Sequence, residues 1–371
     1  MTRRVFGGRG MNHWKETAEI LSRLAELKAA GRRAALATVV HIVGSAYRRP
    51  GAKFLIEETG ATLGSVSGGC LEADVREIAK GVMETGAPSL RHYSTGSDED
   101  MVWGLGLGCN GLVDVFIQPA TVGPLAGLAD ALRRLLAGDS PFVAATVVDG
   151  EGQGAMLIAA PDGTVLGSLG SPDLDAVAAE HGRALVSSGR SAVQTLAERR
   201  IFFEVLPPPP HLIVAGAGDD ARPLVAYAAD AGLRVTVLDH RPALLAPEWF
   251  PQAARLVVAR PEDQGIDLPP ASRSLAVIKA HSLAIDREWA RRLLAAGVPY
   301  VGMLGPRART ESILREIGRP DDERVYGPVG LDLGADGPRQ VALAIVAELL
   351  AFIAGREPRH LTERKEAIHA G

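Results

Sequence analysis

Two glycine-rich loops hold the only two cysteines of the 371-residue chain. Cys70 lies in Gly64-Ser65-Val66-Ser67-Gly68-Gly69-Cys70-Leu71-Glu72, and Cys109 in Gly104-Leu105-Gly106-Leu107-Gly108-Cys109-Asn110-Gly111. Glycine lets a backbone turn sharply and approach a ligand closely, because no Cβ intervenes. A thiolate is both a nucleophile and a soft-metal ligand, and its surroundings set how readily it forms. Two of two cysteines in such loops favour ligand chemistry over the usual fate of a free cysteine, a small buried filler. Arg48 and Arg49 follow Gly44-Ser45, and arginine with a hydroxyl and backbone N–H groups can cradle a phosphate; a solvated turn is the alternative. Glu72, two residues past Cys70, is placed either to orient a ligand or to cap a helix.

The rest of the chain must position these loops. His13 to Ala30 carries apolar residues at helical spacing and ends at Gly31. Ala35 to Ile42 reads as a strand, Lys53 to Ile56 and Thr62 to Val66 as a hairpin, Cys70 to Met83 as a helix and Leu112 to Ile117 as a strand. A helix over Gly123 to Ala137 and strands over Phe142 to Val148 and Ala155 to Ala159 continue the same half. Pro207 to Pro210 form a stiff spacer. The expected organisation is a first domain over 13–206, a linker over 207–210 and a second domain over 211–355, with no internal repeat.

Beyond the spacer, the strand His211 to Ala215 runs into Gly216-Ala217-Gly218-Asp219-Asp220, then a helix, then a strand ending at Asp239. Strand, glycine turn, helix, strand and acid, about 20 residues apart, is the order of a dinucleotide-binding unit. Further strands (Leu256 to Ala259, Leu275 to Ala280, Tyr300 to Leu304) alternate with helices, one of them over Asp286 to Ala296. The expected fold class is therefore α/β: an N-terminal α/β domain with glycine-rich cysteine loops, plus a C-terminal Rossmann-like, doubly wound parallel sheet. Gly216, Gly218 and Asp239 are its candidate nucleotide-binding residues. Asp219 and Asp220, however, stand where a pyrophosphate would sit, and are expected to satisfy the helix terminus themselves. NAD(P) is thus a candidate cofactor opposed by charge. His281 follows a strand at the edge where such sheets bind ligands.

Composition excludes several classes. A net charge of -4 and a pI near 6.2 give no general attraction to nucleic acid or anionic membranes. The longest apolar run, Val341 to Ala354, contains Glu348 and falls short of the roughly 20 residues of a membrane span. No secretory leader is visible, and two cysteines build no disulfide framework, so a reducing, cytoplasmic setting is expected. There is no H-E-x-x-H, C-x-x-C, G-x-S-x-G or Walker A pattern.

In Gly44 to Ala52, Gly64 to Glu72, Gly104 to Gly111, the turn at Gly216, Gly302 to Arg309 and Pro328 to Ala335, the chain resembles the xanthine dehydrogenase accessory protein family, also called the XdhC/CoxI family. The resemblance spans nearly the whole chain in order. It departs from the family pattern at Asn110, at Ala280-His281-Ser282 in place of Thr-His-Asp, and at Asp219 and Asp220. It implies a chaperone for the molybdenum cofactor (molybdopterin) that protects the sulfurated form and delivers it to a molybdenum hydroxylase such as xanthine dehydrogenase. On this reading Ser45, Arg48, Arg49, Gly68, Gly69, Cys70, Glu72, Gly108 and Cys109 contact the cofactor, and Cys70 is the molybdenum-side ligand. A cysteine desulfurase and a second copy of the chain are the further implied partners. The chain is then a non-catalytic binding protein; an NAD(P)-dependent oxidoreductase and a sulfurtransferase using a Cys70 persulfide are the enzymatic alternatives.

Overall fold

The computed structural model describes residues 13–44, 47–95 and 111–363. The chain divides into two compact units between Pro208 and Pro209. The first unit opens with α1 (His13–Ala29), β1 (Ala34–Gly44), β2 (Lys53–Glu57), β3 (Thr62–Gly64), α2 (Glu72–Thr85), β4 (Ser89–Thr95) and β5 (Gly111–Pro119). These strands form one antiparallel sheet in the order β3-β2-β1-β5-β4. Next come α3 (Gly123–Ala137), β6 (Phe142–Asp149), β7 (Met156–Ala159), β8 (Val165–Ser168), α4 (Pro172–Ser188), β9 (Ala192–Leu196) and β10 (Arg199–Leu206), in a second sheet ordered β8-β7-β6-β10-β9.

Element for element, the second half repeats the first, contrary to the expectation that the chain has no repeat. The match reaches single residues. Thr38 pairs with Lys53 and Phe116, and Thr146 with Met156 and Phe202. Both central strands break register at the same place, beside Val40 and beside Val148. Gly64 and Gly167 adopt φ of +82° and +82°, and a Cβ on either would stand 2.3 Å from the carbonyl oxygen of Lys53 or Met156 respectively. Only short fragments survive in sequence: Ala37-Thr38-Val39-Val40 against Ala145-Thr146-Val147-Val148, and Leu63-Gly64-Ser65 against Leu166-Gly167-Ser168. Those are the positions where backbone geometry and core packing leave least choice. The halves share cores: Val40, Phe116 and Leu90 pack with their counterparts Val148, Phe202 and Val193, and Leu36 and Leu55 with Ala144 and Ile158.

The second unit contains β11 (His211–Ala215), α5 (Ala221–Asp230), β12 (Arg234–Asp239), β13 (Arg255–Val258), β14 (Ser274–Ile278), α6 (Leu283–Ala295), β15 (Tyr300–Met303), α7 (Arg307–Glu316), β16 (Val325–Tyr326) and α8 (Pro338–Ala354). All six strands are parallel, in the order β13-β12-β11-β14-β15-β16. Helices α5 and α8 cover one face through Leu224, Ala342 and Ile345, and α6 and α7 the other through Trp289, Leu293 and Ile313. This is the doubly wound Rossmann-like sheet expected, with its switch point between β11 and β14. The apolar run ending at Ala354 forms α8, in which Glu348 accepts hydrogen bonds from Tyr300 Oη at 2.6 Å and Gly330 N at 2.7 Å. Among the described residues no helix is long and apolar enough to cross a membrane.

Candidate functional site

The connections after β1 and β3 leave the first sheet toward one end, where Gly111 pairs with both Gly44 and Thr95. Ser45, Gly108 and Cys109 lie outside the described residues. Helix α2 begins at Glu72 rather than at Cys70, because residues 65–71 wrap around the Glu72 carboxylate. Its Oε1 accepts from Ser65 Oγ (2.9 Å), Val66 N (3.1 Å), Ser67 N (2.9 Å) and Gly68 N (3.2 Å). Its Oε2 accepts from Gly69 N at 2.9 Å and from the Ser67 hydroxyl. Ser67 Oγ in turn accepts from Leu71 N at 2.8 Å. Burial alone would raise the Glu72 pKa, but the Ser67 and Ser65 hydrogen bonds outweigh it and hold the carboxyl at about 2. Glu72 therefore spends the loop's N–H groups internally and makes the loop rigid. Cys70, next to this anchored stretch, is exposed.

Tyr47 completes the local surface. Its side chain is 71% exposed, and its ring lies against Gly68, where a Cβ would stand 2.9 Å from Cδ1. Gly68 also has φ +84°, so both the turn and the ring require glycine. Arg48 points to Glu16, with Nη2 2.6 and 2.7 Å from its carboxylate oxygens. Arg49 is half-buried in the same turn. Arg48, Arg49, Gly68, Gly69, Cys70 and Glu72 thus belong to the first unit.

Gly216, Gly218 and Asp239 belong to the second. A Cβ at Gly216 would stand 2.4 Å from the Lys279 carbonyl oxygen, so this glycine serves strand packing. Asp239 accepts from Ala217 N (2.8 Å) and from Arg241 N, Nε and Nη2 (2.9 Å each). Burial opposes this charge, but Arg241 and the backbone donors win and lower its pKa to about 2. Its oxygens tie the strand end to the glycine turn. The acid pair behaves differently from expectation: Asp220 makes no side-chain cap on α5. Its carboxylate instead faces Lys279 Nζ at 2.8 Å and His281 Nε2 at 3.1 Å, because a buried ammonium demands a counter-charge. Asp219 pairs with Arg222 at 2.8 Å.

Comparison with known proteins agrees with this architecture. Residues 212–349 match a family model described as the XdhC Rossmann domain. Segments 27–94 and 135–197, the corresponding stretches of the two repeats, match the model described as the XdhC and CoxI family. A protein of Bacillus subtilis described as a probable xanthine dehydrogenase subunit is 32% identical over 324 residues, covering 85% of this chain and 92% of its own. The chain belongs to the XdhC/CoxI family. A crystal structure described as a xanthine dehydrogenase from Bacillus halodurans superposes with a TM-score of 0.76 at 29% identity, over 92% of this chain and 96% of that one. The uncharacterized protein YqeB of Escherichia coli is 26% identical over 57% of this chain and 43% of its own length.

Sequence reasoning on this XdhC/CoxI chain missed Tyr47, Glu16 and Lys279. Tyr47 stands inside the Gly44 to Ala52 motif, and an aromatic between glycines was its available signal. The partners of Glu16 and Lys279 lie 32 and 59 residues away in sequence, where no local spacing reveals them.

Proposed function

We propose that this chain is an accessory protein of a molybdenum hydroxylase, such as xanthine dehydrogenase, which binds the molybdenum cofactor at the Cys70 loop and hands it on. One observation carries the reading: an exposed thiol stands on a loop that Glu72 has already organised, two residues from the Gly68 against which the exposed Tyr47 ring lies. The donor set fits the soft end of such a group, since thiolate suits a soft metal or its terminal sulfur. The Tyr47 ring, 71% exposed and packed against Gly68 of the same loop, offers a flat apolar surface. When bound, the cofactor supplies the metal and sulfur that the client needs. The chain's residues hold it and shield it from water and oxidants. A phosphate tail must compete with Glu16 for Arg48. The xanthine dehydrogenase description of the B. subtilis relative supports the client assignment. A cysteine desulfurase as sulfur donor, a homodimer and a cytoplasmic setting complete the proposal.

The test is gel filtration under anaerobic conditions after mixing with molybdenum cofactor. Wild type retains molybdenum and pterin; Cys70→Ala loses them while its circular dichroism is unchanged. Equal retention by both removes Cys70 from the site, and no retention by wild type ends the chaperone reading. The six-stranded parallel sheet favours an NAD(P)-dependent oxidoreductase as second reading. Asp239 opposes it, because both of its oxygens are already engaged by Ala217 N and Arg241. Low-micromolar binding of either nucleotide by calorimetry would revive it.

A further inference from the structure

The two halves of the first unit enclose a cavity of about 40 Å³, and every residue on its walls is buried. Thr38, Lys53 and Gln118 line it from the first half, and their counterparts Thr146, Met156 and Glu204 from the second. The cavity thus lies where the repeats meet. On β1 Thr38 shares a face with Leu36, and on β6 Thr146 shares a face with Ala144, because side chains two apart along a strand point the same way. Leu36 and Ala144 belong to the core that the halves share, so both threonines are turned inward as well.

Lys53 donates to the Gly51 carbonyl at 3.0 Å and to Glu204 Oε1. Glu204 Oε2, Thr38 Oγ1, Thr146 Oγ1 and the Gln118 amide make no hydrogen bond among the described residues. They differ from Thr17 Oγ1 on the same walls, which is sealed off as well as unpartnered, because each keeps some accessible area. Their residues are only 5% to 8% exposed, so that area opens onto the cavity they line. Buried polar groups are hydrogen-bonded almost without exception, and leaving one unmatched costs more than the bond itself contributes.

We propose that this cavity is a built site for ordered water, in which about three molecules bridge Thr38, Thr146, Gln118 and Glu204 across the junction of the repeats. The volume suits this occupant, since one water needs about 10–15 Å³ of such space. The charge suits it too: Lys53 and Glu204 cancel, and an ion gains no net attraction. The hydroxyls and the amide both donate and accept, whereas the carboxylate oxygen only accepts. Water answers both kinds of group. A cavity with apolar walls throughout would stay dry, but here the polar groups supply the two to four partners that a buried water requires.

A high-resolution crystal structure of the full-length protein tests the site directly. Separate density peaks are expected within hydrogen-bonding distance of Thr38 Oγ1, Thr146 Oγ1 and the Gln118 amide, with no anomalous signal after a bromide soak. Magnetic relaxation dispersion of water oxygen, which counts long-lived internal waters, gives the second readout in solution. The double variant Thr38→Val, Thr146→Val keeps the shape of both side chains and removes both hydroxyls. It is expected to lose one or more of the waters counted in wild type. Direct hydrogen bonds among the four side chains with no density between them overturn the proposal. So does a bromide peak in the cavity, or a water count that the double variant leaves unchanged. If that variant fails to fold, the wild-type crystal structure decides alone.

Discussion

The two halves of the first unit share a fold but not a surface, and their differences separate scaffold from site. Glu72 and Asp175 occupy matched positions, and each accepts from the matched loop amide, Val66 N at 3.1 Å and Leu169 N at 2.6 Å. There the likeness stops. Gly68, Gly69 and Cys70 correspond in position to Ser171, Pro172 and Asp173, and Ser171 caps α4 through Leu174 N at 3.3 Å. The second half has become an ordinary capped helix, whereas the first keeps an uncapped, glycine-rich loop ending in an exposed thiol. Likewise Ala197-Glu198, both at positive φ, make a tight turn between β9 and β10, where the first half carries residues 96–110 between β4 and β5. What both halves share holds the sheets; what only the first retains is the proposed site.

A buried ion pair follows the same contrast. Lys53 and Glu204 face each other in the shared interior, and their counterparts are Met156 and Gln118. One of two equivalent places is thus charged and the other neutral. Lys53→Met alone is expected to destabilise the protein by about 3–5 kcal/mol, because it leaves Glu204 buried and unpaired. Adding Glu204→Gln copies the neutral pair and is expected to restore wild-type stability or better in denaturant titration. A double variant no more stable than the single one would mean that the two places are not equivalent.

A smaller effect is expected at Glu72. Its pKa of about 2 lies below the ordinary 4.5, so its stabilising contribution is complete above pH 4.5 and is lost as pH falls toward 2. That shift corresponds to about 3 kcal/mol. Protection factors at Ser67, Gly68 and Gly69, each taken against the intrinsic exchange rate at the same pH, should therefore fall in acid, and Glu72→Gln should show low protection already at pH 7. Asp175→Asn removes a single amide contact and should cost about 1 kcal/mol. Equal losses at the two positions would contradict the division into site and scaffold. The smallest change in stability is expected for Cys70→Ala, within about 0.5 kcal/mol, since the side chain is exposed. Thiol-specific alkylation of wild type should correspondingly be fast under native conditions.

Legibility followed the range of the interactions. The Rossmann-like unit was readable because strand, turn, helix and acid succeed one another within 30 residues. Elements bounded by strong periodicity were placed within about two residues. The repeat was hidden because only backbone-constrained fragments such as Leu-Gly-Ser persist, while loop length and surface chemistry have diverged. Its neighbours in sequence predict that Asp220 caps a helix, but its carboxylate answers to Lys279, which no local pattern links to it.

From sequence alone came the two units' classes, the family and the loop that carries Cys70, because glycine spacing and hydrophobic period are local and survive in linear order. Only the tertiary structure decided that Glu72 consumes that loop's amides, that Arg48 turns to Glu16, and that one half of the first unit is the plain copy of the other. It also decided that Lys279 lies buried against a cavity. Each of these is a pairing of charges or donors across many residues, chosen by the cost of burying them unmatched.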